Sequence, residues 1–385
     1  MSTTGSLPPP TARARALAPD LGRGAMLALI ALAHAQVLAR GSGPLTNAVD
    51  AAAQTALTLF VDSRGYPMFA ALFGYGMVHI LRRQTANGGW EQARSVLRRR
   101  GGWLVLFGFA HVLLLFPGDI LASYGLLAVC LVGALRWRDA RLLTVACVAG
   151  VVGALVYGAV LTVPFPDSAG TPVDPLLSAA IRVASFPVLT LLNAVMAAGP
   201  VLVGVWAARR HLLDEPERHR RLLSRIAAVG IAVAVVGALP QMLVTTGQWQ
   251  PVGGLLLAAG ALHTATGYAG GLGYAALIGV VAARLGRTAQ QHRRDGRIVT
   301  ALRACGQRSM SCYLAQSVAW LVLFEPYLAD LGGRLGVAAA AAVGLAVWAL
   351  TVVAADLLHR LGRPGPAETL LRRLTYGSAV RSARS

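Results

Sequence analysis

Long apolar segments alternate with short basic segments along almost the whole chain. Ten segments predict helices that cross the roughly 30 Å hydrocarbon core of a bilayer, although the third and fourth are short. Their predicted bounds are Leu21 to Ala39, Tyr66 to Leu81, Trp103 to Phe116, Ile120 to Leu135, Leu142 to Val163, Val188 to Ala208, Ile226 to Thr246, Gly254 to Leu285, Ala304 to Phe324 and Gly336 to Leu358. The pattern predicts an all-α polytopic membrane protein with about ten transmembrane helices.

Two segments depart from simple crossing. Pro117-Gly118 interrupts one long apolar run and predicts a tight helical hairpin between the third and fourth segments. Because unpaired backbone is costly in lipid, the hairpin tip is expected at an interface or against a cavity. Asn47 to Val61 is too short and too polar to cross, so it predicts a helix on the outer face.

The basic residues predict the orientation of the chain. All 35 of them are arginine. With the N-terminus in the cytoplasm, 31 of the 35 fall in cytoplasmic segments, and only Arg40, Arg64, Arg182 and Arg334 do not. Cytoplasmic loops of membrane proteins carry an excess of basic residues. Both termini are therefore predicted to lie in the cytoplasm.

Composition narrows the function classes. Only 13% of the residues are charged and 56% are hydrophobic, whereas soluble domains carry roughly 25% charged residues. The net charge of +19 does not indicate nucleic acid, because the arginines flank apolar segments rather than forming one soluble face. The four cysteines lack metal-ligand spacing. We therefore predict no nucleic-acid partner, no metal and no bound cofactor.

Ionisable residues inside the apolar segments are the candidates for chemistry, because each is costly in lipid. His34, His111, Asp119 and His263 all fall in the outer half of the predicted membrane. A histidine held by a carboxylate in a dehydrated pocket could act as a general base. The alternative is that these histidines only form hydrogen bonds between helices.

The predicted cytoplasmic side offers a different set of candidates. Asp20 and Arg23 open the first segment, and basic segments surround them. This face could receive an anionic donor such as coenzyme A, or it could serve only as a capping and topology signal. The glycine-rich run GYAGGLGYA predicts a helix-packing surface.

Five motifs in order resemble the YeiB-like family of uncharacterised bacterial inner-membrane proteins. They are APDLGRGAMLALI, FVDSRGYPMFAALFGYGMVHILRR, FGFAHVLLLFPGDILASYGLLA, GQRSMSCYLAQS and GRPGPAETLLRRLTYG. The chain departs from the family pattern at Ala33-His34, Cys312 and Thr369. The C-terminal half of this family is a named domain of unknown function. The resemblance implies a cytoplasmic tail (1–20), an acyltransferase-like region (21–208), a YeiB-type region (209–377) and a second tail (378–385).

The family is distantly related to transmembrane acyltransferases of the heparan glucosaminide acetyltransferase type. This relation implies that cytosolic acyl-CoA is a co-substrate and that the acceptor binds in the outer half. The ionisable residues inside the apolar segments, the basic cytoplasmic face and the family motifs together give these predicted roles: His111 and Asp119 catalytic; His34, His263, Tyr124 and Gln316 substrate-binding; Asp20, Arg23, Arg82 and Arg99 donor-binding.

The sequence thus leads to a main hypothesis and two alternatives. The main hypothesis is a multi-pass acyltransferase of the bacterial cytoplasmic membrane that acts on a small-molecule acceptor from the envelope or secondary metabolism. The first alternative is a transporter of a small solute without covalent chemistry, since broken helices and buried polar groups also suit transporters. The second is a membrane scaffold or sensor. The bilayer is the expected partner, and a homo-oligomer is left open.

Overall fold

The computed structural model describes residues 17–39, 45, 47–162, 174–292 and 296–377, and these residues are built from α-helices. The helices are α1 (Leu17–Leu38), α2 (Ala48–Phe60), α3 (Gly65–Leu114), α4 (Leu121–Cys130), α5 (Asp139–Thr162), α6 (Pro175–Arg209), α7 (Arg220–Gly237), α8 (Leu239–Thr245), α9 (Gly254–His292), α10 (Arg297–Gln307), α11 (Ser309–Phe324), α12 (Val337–Arg360) and α13 (Pro366–Tyr376). Short 3-10 turns lie at Val132–Arg136 and Leu331–Gly333.

Within the described residues, five helices are long and apolar enough to cross a membrane, namely α1, α5, α6, α9 and α12. Helices α7 and α8 meet at a bend of 43°, and together they would make a sixth, broken span. Each of the ten predicted segments overlaps a helix. The predicted all-α fold with several candidate membrane-spanning helices is confirmed, and the count of ten and the orientation of the termini stay predictions.

Helix α3 joins two segments that the sequence predicted as separate helices. It runs for 50 residues but is broken at Gly88 and Gly89, where the backbone is not helical. Gly89 has a φ of 75°, a left-handed value that favours glycine. The expected loop is therefore a kink, and the two arms of α3 correspond to the second and third predicted segments.

Helix boundaries differ at the start of the chain. Helix α1 begins at Leu17, four residues before the predicted boundary at Leu21. Pro19 lies in the first turn of α1, where the missing N–H of proline costs nothing. Helix α2 has 13 residues, which is about 20 Å of helix, so it is too short to cross the core. Asn47 caps it by accepting a hydrogen bond from the Asp50 N–H.

Glycines let the helices approach closely. A Cβ at Gly74 would collide with the Val201 carbonyl, and one at Gly204 with the Ala71 carbonyl, so α3 and α6 meet backbone to backbone. The glycine-rich run of α9 behaves in the same way. A Cβ at Gly271 would lie 2.7 Å from the carbonyl oxygen of Arg64. The predicted helix-packing role of GYAGGLGYA is confirmed.

Candidate functional site

The tip of the α3–α4 hairpin, residues 115–120, is held by side chains from other helices. The Tyr313 hydroxyl on α11 donates to the Gly118 carbonyl at 3.0 Å, and the Asn193 amide on α6 donates to the Asp119 carbonyl at 3.3 Å. The Asp119 carboxylate accepts the N–H of Ala122 in the first turn of α4 at 2.7 Å. The non-helical backbone of the tip is thus bonded to protein, as the cost of unpaired groups in lipid requires.

The hairpin places His111 between an aspartate and a serine. Its Nδ1 lies 3.1 Å from the Asp119 Oδ1, and its Nε2 lies 2.7 Å from the Ser317 Oγ. The three side chains belong to residues that are 2%, 4% and 0% exposed, respectively. The Nδ1–Oδ1 contact is within ion-pair distance but is not a hydrogen bond, and neither atom has a hydrogen-bond partner among the described residues. The arrangement can move a proton between a hydroxyl and an imidazole while a carboxylate steadies the ring.

The ring of Tyr313 connects His111 to His34. The His111 and Tyr313 ring centroids are 5.1 Å apart, and the His34 and Tyr313 centroids are 6.3 Å apart. His34 also packs on Phe116 of the hairpin tip at 4.6 Å. The buried Nδ1 of His34 has no hydrogen-bond partner among the described residues. Since buried polar atoms are usually bonded, this nitrogen is available to a ligand or a water.

His263 lies at a different place, on α9 and within electrostatic range of Arg64. Arg64, one of the four arginines assigned outside the cytoplasmic segments, is fully buried at the turn between α2 and α3. Its guanidinium donates to the carbonyls of Thr58 at 3.0 Å and Ala234 at 2.6 Å. Ser63, just before it, has a strained φ of 58°. Arg64 therefore ties three chain segments together next to His263.

Tyr124 and Gln316 are buried, but their hydrogen bonds go to other helices. The Tyr124 hydroxyl donates to the Tyr66 carbonyl at 3.3 Å, and its ring stacks on Phe73 at 4.9 Å. The Gln316 amide donates to the Thr351 hydroxyl at 3.4 Å. The Gln316 Oε1 is buried and has no partner among the described residues.

The structure distributes the predicted donor residues over several places. Asp20 is buried, contacts Arg23 at 3.4 Å and accepts from the Gln307 amide at 3.1 Å, so it joins α1 to α10. Arg82 donates to the Ala208 carbonyl near the end of α6 at 3.1 Å. Arg99 is exposed on α3.

A cavity of about 520 Å³ lies beside the loop between α6 and α7. Its lining includes Asp214, Glu215 and Glu217, with Arg218 as its basic member. Burial raises the pKa of Asp214, but hydrogen bonds and charge from His79 and further hydrogen bonds outweigh it, so the pKa stays below its usual value. The lining is acidic, so it does not match the phosphates of coenzyme A, and the donor site stays a prediction.

Ser317 is the functional candidate that sequence reasoning missed. It lies in the quoted motif CYLAQS, where it reads as a small polar residue in an apolar helix. Only the fold reveals that this serine, 206 residues after His111, contacts the imidazole. Among the described residues, no group of three or more His, Cys, Asp or Glu side chains is arranged to hold a metal ion.

Comparison with known proteins gives a family context for this site. The C-terminal part of the chain is similar to the DUF418 family. Residues 207–378 match its model, which is described as a protein of unknown function. The resemblance to uncharacterised YeiB-like bacterial proteins is thereby confirmed, whereas a relation to acyltransferases is not shown.

Three bacterial proteins show the extent of this similarity. The uncharacterised protein YxaH of Bacillus subtilis (strain 168) is 28% identical over 85% of this chain and 83% of its own length. An uncharacterised 39.9 kDa protein of Bacillus acidopullulyticus is 36% identical over 27% of this chain and 30% of its own. Uncharacterised protein YeiB of Escherichia coli (strain K12) is 43% identical over 19% and 16%, respectively. No solved structure matches the chain.

Proposed function

We propose that the chain crosses the bacterial cytoplasmic membrane ten times with both termini in the cytoplasm. The six candidate spans, the two arms of α3, and the shorter apolar helices α4 and α11 add up to ten. The arginine distribution, 31 of 35 in the segments assigned to the cytoplasm, supports this threading. Cysteine labelling of single-cysteine variants tests it, and labelling of the 208–225 segment from outside would contradict it.

We further propose that the protein is a transmembrane acyltransferase. The observation that carries this proposal is the buried contact of His111 with Asp119 on one side and Ser317 on the other. A buried imidazole that faces both a carboxylate and a hydroxyl is the arrangement that activates an oxygen nucleophile. Acyl transfer from a thioester needs such a group to accept the proton of the attacking oxygen and return it to the leaving thiol.

The substrates follow from the two faces of the membrane. The donor would be a cytosolic acyl-CoA, with Asp20, Arg23, Arg82 and Arg99 as its proposed contacts. The acceptor would be a small molecule of the cell envelope or of secondary metabolism that enters from the outer side. His34, whose buried Nδ1 has no partner among the described residues, is proposed as an acceptor contact because its ring packs near that of Tyr313. His263, Tyr124 and Gln316 are proposed to line its approach.

Release of free thiol from acyl-CoA tests the enzymatic proposal. Purified protein in detergent is incubated with acetyl-CoA or a longer acyl-CoA, together with an envelope extract as a source of acceptor. We expect turnover by the wild type and a loss of about 10²-fold or more in His111→Ala. His219→Ala is the matched control, because His219 lies at the start of α7 without a side-chain capping bond. Equal thiol release by His111→Ala and the wild type would contradict the role of His111.

A transporter is the second candidate, and the broken pair α7–α8 favours it. A bend of 43° within one span is the kind of broken helix found around transported solutes. Proteoliposomes loaded with candidate solutes should then show flux without covalent change. Flux that continues in His111→Ala, with no thiol release by the wild type, would replace the acyltransferase proposal.

A further inference from the structure

We propose that Ser317 is a covalent catalytic residue that carries the acyl group between donor and acceptor. This inference rests on the proposed acyltransferase function and adds an acyl-enzyme intermediate to it. The Ser317 Oγ lies 2.7 Å from the His111 Nε2, and the opposite ring nitrogen faces Asp119 at 3.1 Å. Both nitrogens of the imidazole therefore face protein groups, and the hydroxyl that is hydrogen-bonded to the ring is that of Ser317.

The environment of Ser317 differs from that of another buried serine. Ser123 is 1% exposed and its hydroxyl donates to the Thr190 carbonyl at 3.0 Å, which is a purely structural bond. The Ser317 hydroxyl has the Tyr313 carbonyl at 3.2 Å as an alternative acceptor. Rotation of the hydroxyl about its Cβ–Oγ bond thus switches the Ser317 proton between a backbone oxygen and the imidazole. A hydroxyl with this choice can serve as a nucleophile without leaving a buried donor unpaired.

The position of Ser317 along α11 suits a carrier. It lies eight residues after the start of α11 at Ser309 and seven before its end at Phe324. At 1.5 Å per residue it is about 12 Å from one end and about 10 Å from the other. A donor from the cytoplasm and an acceptor from the outer side would each travel about half the length of this helix. An acyl-enzyme lets them arrive one after the other, so the tightly packed site never has to hold both.

The two steps balance as follows. In the first, the Ser317 Oγ attacks the thioester carbonyl carbon, an O–C bond forms, the C–S bond breaks, and the serine proton passes through His111 to the leaving thiolate. In the second, His111 takes a proton from the acceptor hydroxyl or amine, whose oxygen or nitrogen attacks the ester carbon. The Ser317 O–C bond breaks and His111 returns the proton to Oγ. Nothing is oxidised or reduced, and Asp119 stabilises the imidazolium formed in each step.

The experiment looks for the intermediate directly. Full-length purified protein is incubated with acetyl-CoA, and in parallel with palmitoyl-CoA, without any acceptor. Intact mass spectrometry should show one added acyl group, accompanied by a stoichiometric burst of free thiol. Cleavage after Arg308 and Arg334 gives a peptide that contains Ser317, and fragment ions should place the acyl group on that residue. The bond should resist neutral hydroxylamine and yield to alkaline hydroxylamine, as an oxygen ester does.

Three variants make the outcome decisive. Ser317→Ala should lose the adduct and at least 10²-fold of acyl transfer, and Ser317→Cys should carry a thioester that neutral hydroxylamine cleaves. Ser123→Ala is the matched control and should keep both adduct and transfer. Transfer by the wild type and Ser317→Ala at the same rate, without an adduct, would overturn the covalent role and leave the acyltransferase proposal standing. No thiol release from any protein with donor and envelope extract would refute the acyltransferase proposal itself.

Discussion

Asp119 performs two tasks that substitution can separate. One carboxylate oxygen accepts the Ala122 N–H in the first turn of α4 at 2.7 Å, and the other faces the His111 Nδ1 at 3.1 Å. Asp119→Asn keeps an oxygen for the helix but turns an amide N–H₂ toward the ring. The Nδ1 must then be an acceptor, so the ring proton moves to Nε2 and points at Ser317. In that tautomer His111 cannot accept the serine proton.

The costs of losing the helix cap and of losing the carboxylate beside His111 can be estimated from the structure. Asp119→Ala removes the helix cap, at about 0.5–2 kcal/mol. It also removes the carboxylate that faces the buried His111 Nδ1 at 3.1 Å, and losing a polar contact of this kind costs about 0.5–1.5 kcal/mol. Asp119→Asn replaces a charged contact by a neutral one and should cost about 1 kcal/mol. The acyl-transfer rate should nevertheless fall by about 10²–10⁴-fold in both variants, because proton transfer through the imidazole is lost.

Two measurements on the same preparations check these expectations. Thermal unfolding in detergent should rank the wild type first, Asp119→Asn close behind it and Asp119→Ala clearly lower. Thiol release should separate the wild type from both variants. If Asp119→Asn transferred acyl groups at the wild-type rate, Asp119 would not set the tautomer of His111. If Asp119→Ala unfolded at the same temperature as Asp119→Asn, the capping role would be wrong.

Three further predictions concern packing, charge and capping, and thermal unfolding in detergent measures each. Gly204→Ala should destabilise the folded protein by about 1–3 kcal/mol, because the new Cβ would collide with the Ala71 carbonyl. Gly102→Ala is the control, since a Cβ there has open space, and equal Tm values for the two variants would contradict this prediction. The pKa of Asp214 is lowered in the folded state, so its stabilisation is present at neutral pH and lost as pH falls through that lowered value. The Tm difference between wild type and Asp214→Asn should therefore shrink below about pH 4, and a difference that grows on acidification would refute it. Glu368 caps the start of α11 by accepting hydrogen bonds from the N–H groups of Met310 at 2.8 Å and Ser311 at 3.1 Å. Glu368→Ala should therefore reduce stability by about 1–2 kcal/mol, and Glu368→Gln by less. A larger loss in Glu368→Gln than in Glu368→Ala would exclude this capping role.

Much of the fold could be predicted because a helix that crosses a bilayer must be apolar and about 20 residues long. Apolar length and arginine position located the helices, and the Pro117-Gly118 break located the hairpin. The kink at Gly88 and Gly89 was not predicted, because a polar segment between two apolar ones is typical of a loop. In the structure the helix continues on both sides of the two glycines. Helix α1 starts four residues earlier than predicted because a proline such as Pro19 is tolerated in the first turn of a helix.

The candidate site was predicted only in part. His111 and Asp119 are eight residues apart, so a hairpin between them suffices to bring them together. Ser317 lies far along the chain, and its contact with His111 depends on how α11 packs against α3, which no periodicity encodes. The burial of Arg64 was not predicted either, because it depends on the backbone carbonyls of Thr58, Asp62 and Ala234, which accept hydrogen bonds from its guanidinium.

The support of the hairpin tip has a consequence for how the protein is made. Gly118 receives its hydrogen bond from Tyr313, which is synthesised 195 residues later. Until α11 has been synthesised, the Gly118 carbonyl lacks this donor, whereas the Asp119 carboxylate already accepts the Ala122 N–H. Because an unpaired carbonyl is costly in lipid, the hairpin tip is expected to stay near water until α11 packs against it. A chain truncated before α11 should be recognised by membrane proteases as an unfinished product.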